Sequence, residues 1–169
     1  QESRGLGDVY KRQDKQSIVD SIYSGRARVA KSIVNPNVFG YYDGLEGYPF
    51  DVEKAKELVA KSGLKDTSFS LYVNDNPVRL QVAQIIQANL KEIGIDMKIE
   101  TLEWGTYLQK TGEGDFTAYL GGWISGTSDA DIVLYPLLDS KSIGASGNRA
   151  RYSNPKFDKE VEMARTVLN

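Results

Sequence analysis

The chain has 169 residues and contains no cysteine and no histidine. The first absence excludes disulfides, thiolate nucleophiles and cysteine-ligated zinc. The second excludes Ser-His catalysis and removes the commonest metal ligand. Carboxylate, lysine or tyrosine chemistry is what remains. No stretch approaches the roughly 18 consecutive apolar residues of a membrane span, and no signal-peptide pattern opens the chain. Long basic runs are missing too, and the formal net charge is −2, so a nucleic-acid partner has no electrostatic footprint.

What is present is ordinary globular composition, 40% hydrophobic and 26% charged, at a length that suits one domain. The run Ser3 to Gln13 reads SRGLGDVYKRQ and resembles the in-frame translation of a transposase-based sequencing-library adapter. Its last six residues back-translate to GAT-GTG-TAT-AAG-AGA-CAG. Residues 1–13 are therefore treated as adapter-derived and non-native, and residues 14–169 carry the fold.

Local patterns divide the rest. Ile18, Val19 and Ile22 share one helical face that stops at Gly25. A Gly-, Asn-, Pro- and Tyr-rich loop from Asn35 to Pro49 follows; its Phe39, Tyr41, Tyr42 and Tyr48 are expected to cover the lobe rather than line a cleft. Asp51 caps a helix with Val52, Ala55, Leu58 and Val59 inward, closed by Gly63. Ser68 to Val73 alternates as a strand, with Phe69, Leu71 and Val73 on one face. Pro77 opens the longest helix, whose stripe is Val78, Val82, Ile85, Ile86, Leu90 and Ile93, and Gly94 ends it. A second strand alternates at Ile95, Met97 and Ile99. Glu103 to Lys110 reads as a helix and Phe116 to Trp123 as a more buried strand. Asp129 or Asp131 caps a short helix through Leu138. Asn154, with Pro155 at the first position, caps a last helix with Phe157, Val161 and Ala164 inward, running to the end of the chain. Strands alternating with helices predict an α/β layer with parallel crossovers, read as one lobe.

Ligand sites in open α/β sheets gather beyond the carboxyl ends of strands. The strand from Phe116 ends in Gly121-Gly122-Trp123, followed by Ile124, Ser125, Gly126 and Thr127. Two readings stand side by side: the tryptophan walls a pocket that the glycines let a backbone approach, or it is plain core beside a bend. Asp115, Asp129 and Asp131 lack calcium-loop spacing, so helix capping explains the last two better than metal binding.

From Asp14 onward the chain resembles the extracellular solute-binding proteins for oligopeptides and dipeptides that serve ABC importers. The resemblance is carried by DKQSIVDSIYSG, FDVEKAKELVAKSG and FSLYVNDNPVRLQVAQIIQANLKEIGIDMKIETLEWGTYLQK, and continues in order through GDFTAYLGGW, LYPLLDS and RYSNPKFDKEVEMAR. It implies a type II periplasmic-binding-protein-like fold, with helices on a mixed, mainly parallel sheet, of which this chain is part of one lobe. It implies a receptor rather than an enzyme: an extracytoplasmic protein, in the periplasm or as a cell-surface lipoprotein. Such a receptor is a monomer when complete, uses no cofactor, and passes a peptide or other small molecule to membrane permease subunits.

Residue by residue, Trp104 in EWGTYL and Trp123 in GGW match tryptophans that face the ligand in peptide-binding relatives. An aspartate that anchors the peptide amine in such relatives is matched by Gly126, and an arginine by Leu120. The implied ligand-binding set is Trp104, Gly122, Trp123, Ile124, Ser125, Gly126, Thr127 and Asp129, with Ser125, Thr127 and Asp129 standing in for the missing anchor. The GTSDAD version resembles a branch labelled glutathione-binding. Alternatives are a metal-chelate receptor of the same family, though without histidine to ligate metal directly, and a carboxylate-based hydrolase. The hydrolase would need two carboxyls roughly 5–9.5 Å apart, which no pair is placed by sequence to supply.

Overall fold

The computed structural model describes residues 14–167, so the adapter-like run lies outside the described residues. The chain divides into two compact units, each described by itself. The first takes the residues up to Lys31, Glu46–Glu103 and Thr117–Leu120; the second takes Ser32–Leu45, Trp104–Phe116 and the residues from Gly121 on.

The first unit holds α1 (Lys15–Tyr23), α2 (Val52–Ser62), β1 (Ser68–Asn74), α3 (Pro77–Lys91), β2 (Asp96–Leu102) and β3 (Ala118–Leu120). The sheet order is β2-β1-β3 and both pairings are parallel, in keeping with the expected α/β layer of parallel crossovers. Ser68 faces Asp96 and Asn74 faces Leu102 on one side of β1; Leu71 to Val73 face Ala118 to Leu120 on the other. A central strand buried by two neighbours needs apolar side chains, and Leu71 and Val73 supply them.

The helices follow their caps. Asp51 Oδ1 accepts the Lys54 N–H at 2.8 Å and Asn76 Oδ1 accepts the Arg79 N–H at 3.1 Å. Pro77 occupies the first turn of α3, where its missing N–H costs no helical bond. Ala83, Ile86 and Leu90 of α3 are buried with Leu71, Val73 and Met97, and Ala55 of α2 joins them. Of the expected stripe, Ile86, Leu90 and Ile93 are buried, Val82 and Ile85 are half-buried and Val78 is exposed, while Ala83 joins the buried face. Gln87 Nε2 donates to the Met97 carbonyl at 2.7 Å, fastening α3 to β2.

The second unit holds α4 (Trp104–Glu113), α5 (Asp131–Leu138), a 3-10 turn (Ser140–Ser142) and α6 (Pro155–Ala164). Asn154 Oδ1 caps α6 by accepting the N–H groups of Lys156 and Phe157. The helix ends at Ala164 rather than running on, as the Arg165 N–H closes the last turn on the Val161 carbonyl. The Arg151 guanidinium donates to the Gly112 and Glu113 carbonyls at the end of α4, where Gly114 adopts φ +82. Val34, Ala130 and Val133 form a small core, and Tyr41 packs on it. The expectation that the loop aromatics cover the fold holds for Tyr41 alone: Phe39, Tyr42 and Tyr48 are exposed. Phe39 instead reaches residues distant in the chain, exchanging backbone hydrogen bonds with Ser128 and Ala130.

On α2, the side-chain hydrogen bond from Lys54, then that from Lys61, hold the Glu57 carboxyl at about 2. Because the folded value is depressed, this contact stabilises the helix above the ordinary carboxylate range, and the contribution is lost as pH falls through about 2. Carbon-detected NMR titration should place the Glu57 midpoint at about 2 and return it to the ordinary carboxylate range in a Lys54→Met, Lys61→Met chain. Leu90→Ala, at a fully buried site against β1 and β2, should cost about 2–5 kcal/mol in urea unfolding. Asp51→Ala should cost about 1 kcal/mol through the lost cap.

Candidate functional site

The strand order changes direction at β1, so the switch point lies at the carboxyl ends of β1 and β3, the place where open parallel sheets hold ligands. The end of β1 is Asn74, buried, whose Oδ1 accepts from Arg79 Nη1 at 2.7 Å. Neither Asn74 nor Arg79 was singled out from the sequence. Their only signal is the polar run Asn74-Asp75-Asn76 closing an alternating strand, and that reads equally well as a turn.

The end of β3 is Leu120. The expected strand from Phe116 to Trp123 is shorter and only half-buried, because β3 is an edge strand paired with β1 at three positions. The chain therefore leaves the sheet at Gly121, and Gly121 through Asp129 are all exposed. This places Gly122, Trp123, Ile124, Ser125, Gly126, Thr127 and Asp129 on one continuous exposed segment.

That segment is anchored at several points within the second unit. The Trp123 indole N–H donates to the Ile132 carbonyl at 2.9 Å. This acceptor exists because Pro136 sits inside α5. In a regular helix the N–H of residue 136 would bond the carbonyl of residue 132; proline has none, and its ring crowds that carbonyl. Ser125 Oγ donates to the Thr127 carbonyl, and Asp129 Oδ1 accepts the Asp131 N–H at 2.8 Å. The Phe39 N–H donates to the Ser128 carbonyl at 2.9 Å and the Ala130 N–H donates to the Phe39 carbonyl at 3.1 Å, fixing the far end.

Exposure sets aside the reading of Trp123 as plain core. The residue is 42% exposed, so it is not core. Ile124 is 92% exposed with no apolar partner to justify it, and a Cβ at Gly126 would meet open space. Residues 121–128 carry no charge of either sign. The surface they offer is apolar and hydrogen-bonding, suited to a neutral stretch of ligand. The expected capping role is met in altered form. Ala130 is the residue before α5 and makes no side-chain cap, while Asp129 holds the first helical N–H from one step further back. Asp131 instead pairs with Arg165, Nε to Oδ1 at 3.1 Å, and that guanidinium lies 3.8 Å over the Tyr135 ring.

Trp104 stands on a different element, in the first turn of α4, 48% exposed and stacked on buried Tyr107 with ring centroids 5.6 Å apart. Thr127 and Asp129 also line a cavity of about 1120 Å³, together with Phe39, Ile132, Val161 and Arg165. Sequence reasoning missed the part played by α6 there, because Val161 and Arg165 approach α5 only through folding. Among the described residues no group of three or more acidic side chains could hold a metal ion.

Trp123→Phe keeps an aromatic ring but removes the donor. Proteolysis between residues 121 and 130 should accelerate, while urea unfolding of the α3–β1–β2 core stays within about 0.5 kcal/mol of the unaltered chain. Unchanged proteolysis would show that the indole bond does not order the segment.

Residues 13–145 match the family model described as bacterial extracellular solute-binding proteins, family 5, middle. Heme-binding protein A of Haemophilus influenzae is 37% identical over 92% of this chain and 29% of its own length. The dipeptide-binding protein of Escherichia coli K12 is 30% identical over 98% of this chain and 33% of its own. Among solved structures, an ABC transporter-associated periplasmic binding protein from Helicobacter pylori, in complex with the peptide STSA, superposes with a TM-score of 0.88 at 30% identity. It covers 96% of this chain and 32% of that one. A dipeptide-binding protein from Pseudoalteromonas sp. SM9913 in complex with Met-Leu gives 0.89 at 27% identity, covering 96% and 33%. The chain thus spans about a third of the length of the relatives it matches. With a family model matched across most of its residues, this chain belongs to the bacterial extracellular solute-binding proteins of family 5.

Proposed function

We propose that this chain is part of one lobe of a receptor that captures short peptides, glutathione-like ones included, outside the cytoplasm and delivers them to the permease subunits of an ABC importer. The complete receptor works as a monomer, without cofactor, in the periplasm or as a cell-surface lipoprotein. The observation that carries the reading is the exposed, uncharged segment Gly121–Ser128, with Trp123 held by its indole N–H and its ring open to solvent. A ring fixed by its polar end offers apolar contact at little entropic cost. Exposed backbone on Gly121, Gly122 and Gly126 can pair with an extended peptide main chain, which gives affinity while reading side chains loosely. The family is one of solute-binding proteins, not of enzymes.

Calorimetry on the complete gene product, with di- and tripeptides, glutathione and heme as separate ligands, tests the reading. A short peptide should bind. Trp123→Ala should weaken it by about 2 kcal/mol, roughly thirtyfold in Kd, and Asp129→Ala should weaken it as well. Heme binding without peptide binding would replace the ligand class, and affinity unmoved by Trp123→Ala would remove this segment from the site. Because ligand sites bury about 70–90% of a small ligand and this chain supplies one wall, residues 14–169 alone should bind far more weakly. Micromolar binding by that piece would contradict the two-walled reading.

A further inference from the structure

We propose that Pro136 is a positioning residue for Trp123: by withholding the helical donor from Ile132, it creates the acceptor that fixes the indole. Its consequence for ligand rests on the reading of Trp123 as part of the solute-facing wall; the link between the two residues does not.

The α5 bonding pattern is regular on both sides of this point. The Leu134 N–H donates to the Ala130 carbonyl at 2.9 Å and the Asp139 N–H donates to the Tyr135 carbonyl at 3.2 Å. Between them, at Pro136, no N–H exists to reach residue 132, and the Trp123 Nε1–H occupies that carbonyl at 2.9 Å. Indole nitrogen is a donor only, so it needs a carbonyl of this kind when the ring packs against a helix. The backbone at Pro136 is also held from behind. Gly147 is buried at φ +150, and a Cβ there would lie 2.3 Å from the Pro136 carbonyl oxygen, so nothing larger than glycine fits. The helix thus has little room to relax around its proline and close the gap by itself.

A proline six residues into an eight-residue helix is locally unfavourable, and alanine would serve the helix better. Here that local loss supplies a contact between residues nine apart in sequence, Trp123 and Ile132. With alanine at 136, the new N–H competes for the Ile132 carbonyl and the indole is released, although the helix itself becomes more regular. A helix-strengthening substitution that loosens a distant tryptophan is an outcome that a merely structural proline would not produce.

The test begins with Pro136→Ala in the 169-residue chain carrying nitrogen-15 tryptophan. Solvent exchange of the Trp123 indole proton should rise by about tenfold, with the Trp104 indole proton as internal reference and unchanged. Unchanged exchange at Trp123 overturns the proposal. In the complete gene product, Pro136→Ala should weaken peptide binding several-fold. The same substitution in a Trp123→Phe background should have almost no further effect, since the two act through one contact. Equal losses in both backgrounds would overturn positioning and leave only a general structural effect. If exchange rises but neither Pro136→Ala nor Trp123→Ala alters binding of any ligand, the positioning link stands and Trp123 leaves the proposed wall.

Discussion

The exposed segment after β3 depends on one hydrogen bond, from the Trp123 indole to the Ile132 carbonyl. Without it, residues 121 to 127 would be a glycine-rich run ordered by a short local contact from Ser125 to Thr127. With it, a bulky and partly exposed side chain is held by its indole N–H. The bond is available because α5 contains a proline at the one position that frees this carbonyl. A loss in helix regularity becomes order in a neighbouring loop.

The remaining anchors act at the other end. Ser128 and Ala130 exchange backbone bonds with Phe39, a residue about ninety positions earlier, and Asp129 holds the first N–H of α5. Between the two anchored ends lie Ile124, Ser125 and Gly126, exposed and uncharged. This combination of fixed ends and an open, neutral middle differs from a solvated loop, which would carry charge, and from a core strand, which would be covered. In the first unit the burden falls on β1. It is hydrogen-bonded on both sides and packed beneath α3, so the positions at its carboxyl end inherit its rigidity.

Much of the fold was legible because its signals are local. Asp51, Asn154 and Pro77 act within three or four residues of themselves, and each was placed correctly. The parallel layer followed from alternating strand and helix periods. The departures share one cause, which is dependence on distant partners. The β3 strand pairs with β1 at only three positions, which the run from Phe116 to Trp123 cannot reveal. The loop aromatics Phe39, Tyr42 and Tyr48 are exposed, where hydrophobic composition alone suggested the opposite. Of the implied site, residues 122 to 129 fall on one segment, as contiguity requires, whereas Trp104 belongs to another helix.

The sequence by itself determined which chemistry is absent, where helices begin, which faces are apolar and which family the residues resemble. These are properties of composition or of contacts within one or two turns, where spacing in the chain stands for spacing in space. Only the tertiary structure decided that Trp123 is held and half-open instead of buried, that Pro136 provides its acceptor, and that Phe39 closes the far end of the segment. Each of those joins groups that chain order leaves apart, and hydrogen-bond geometry between them exists only once the helices have packed.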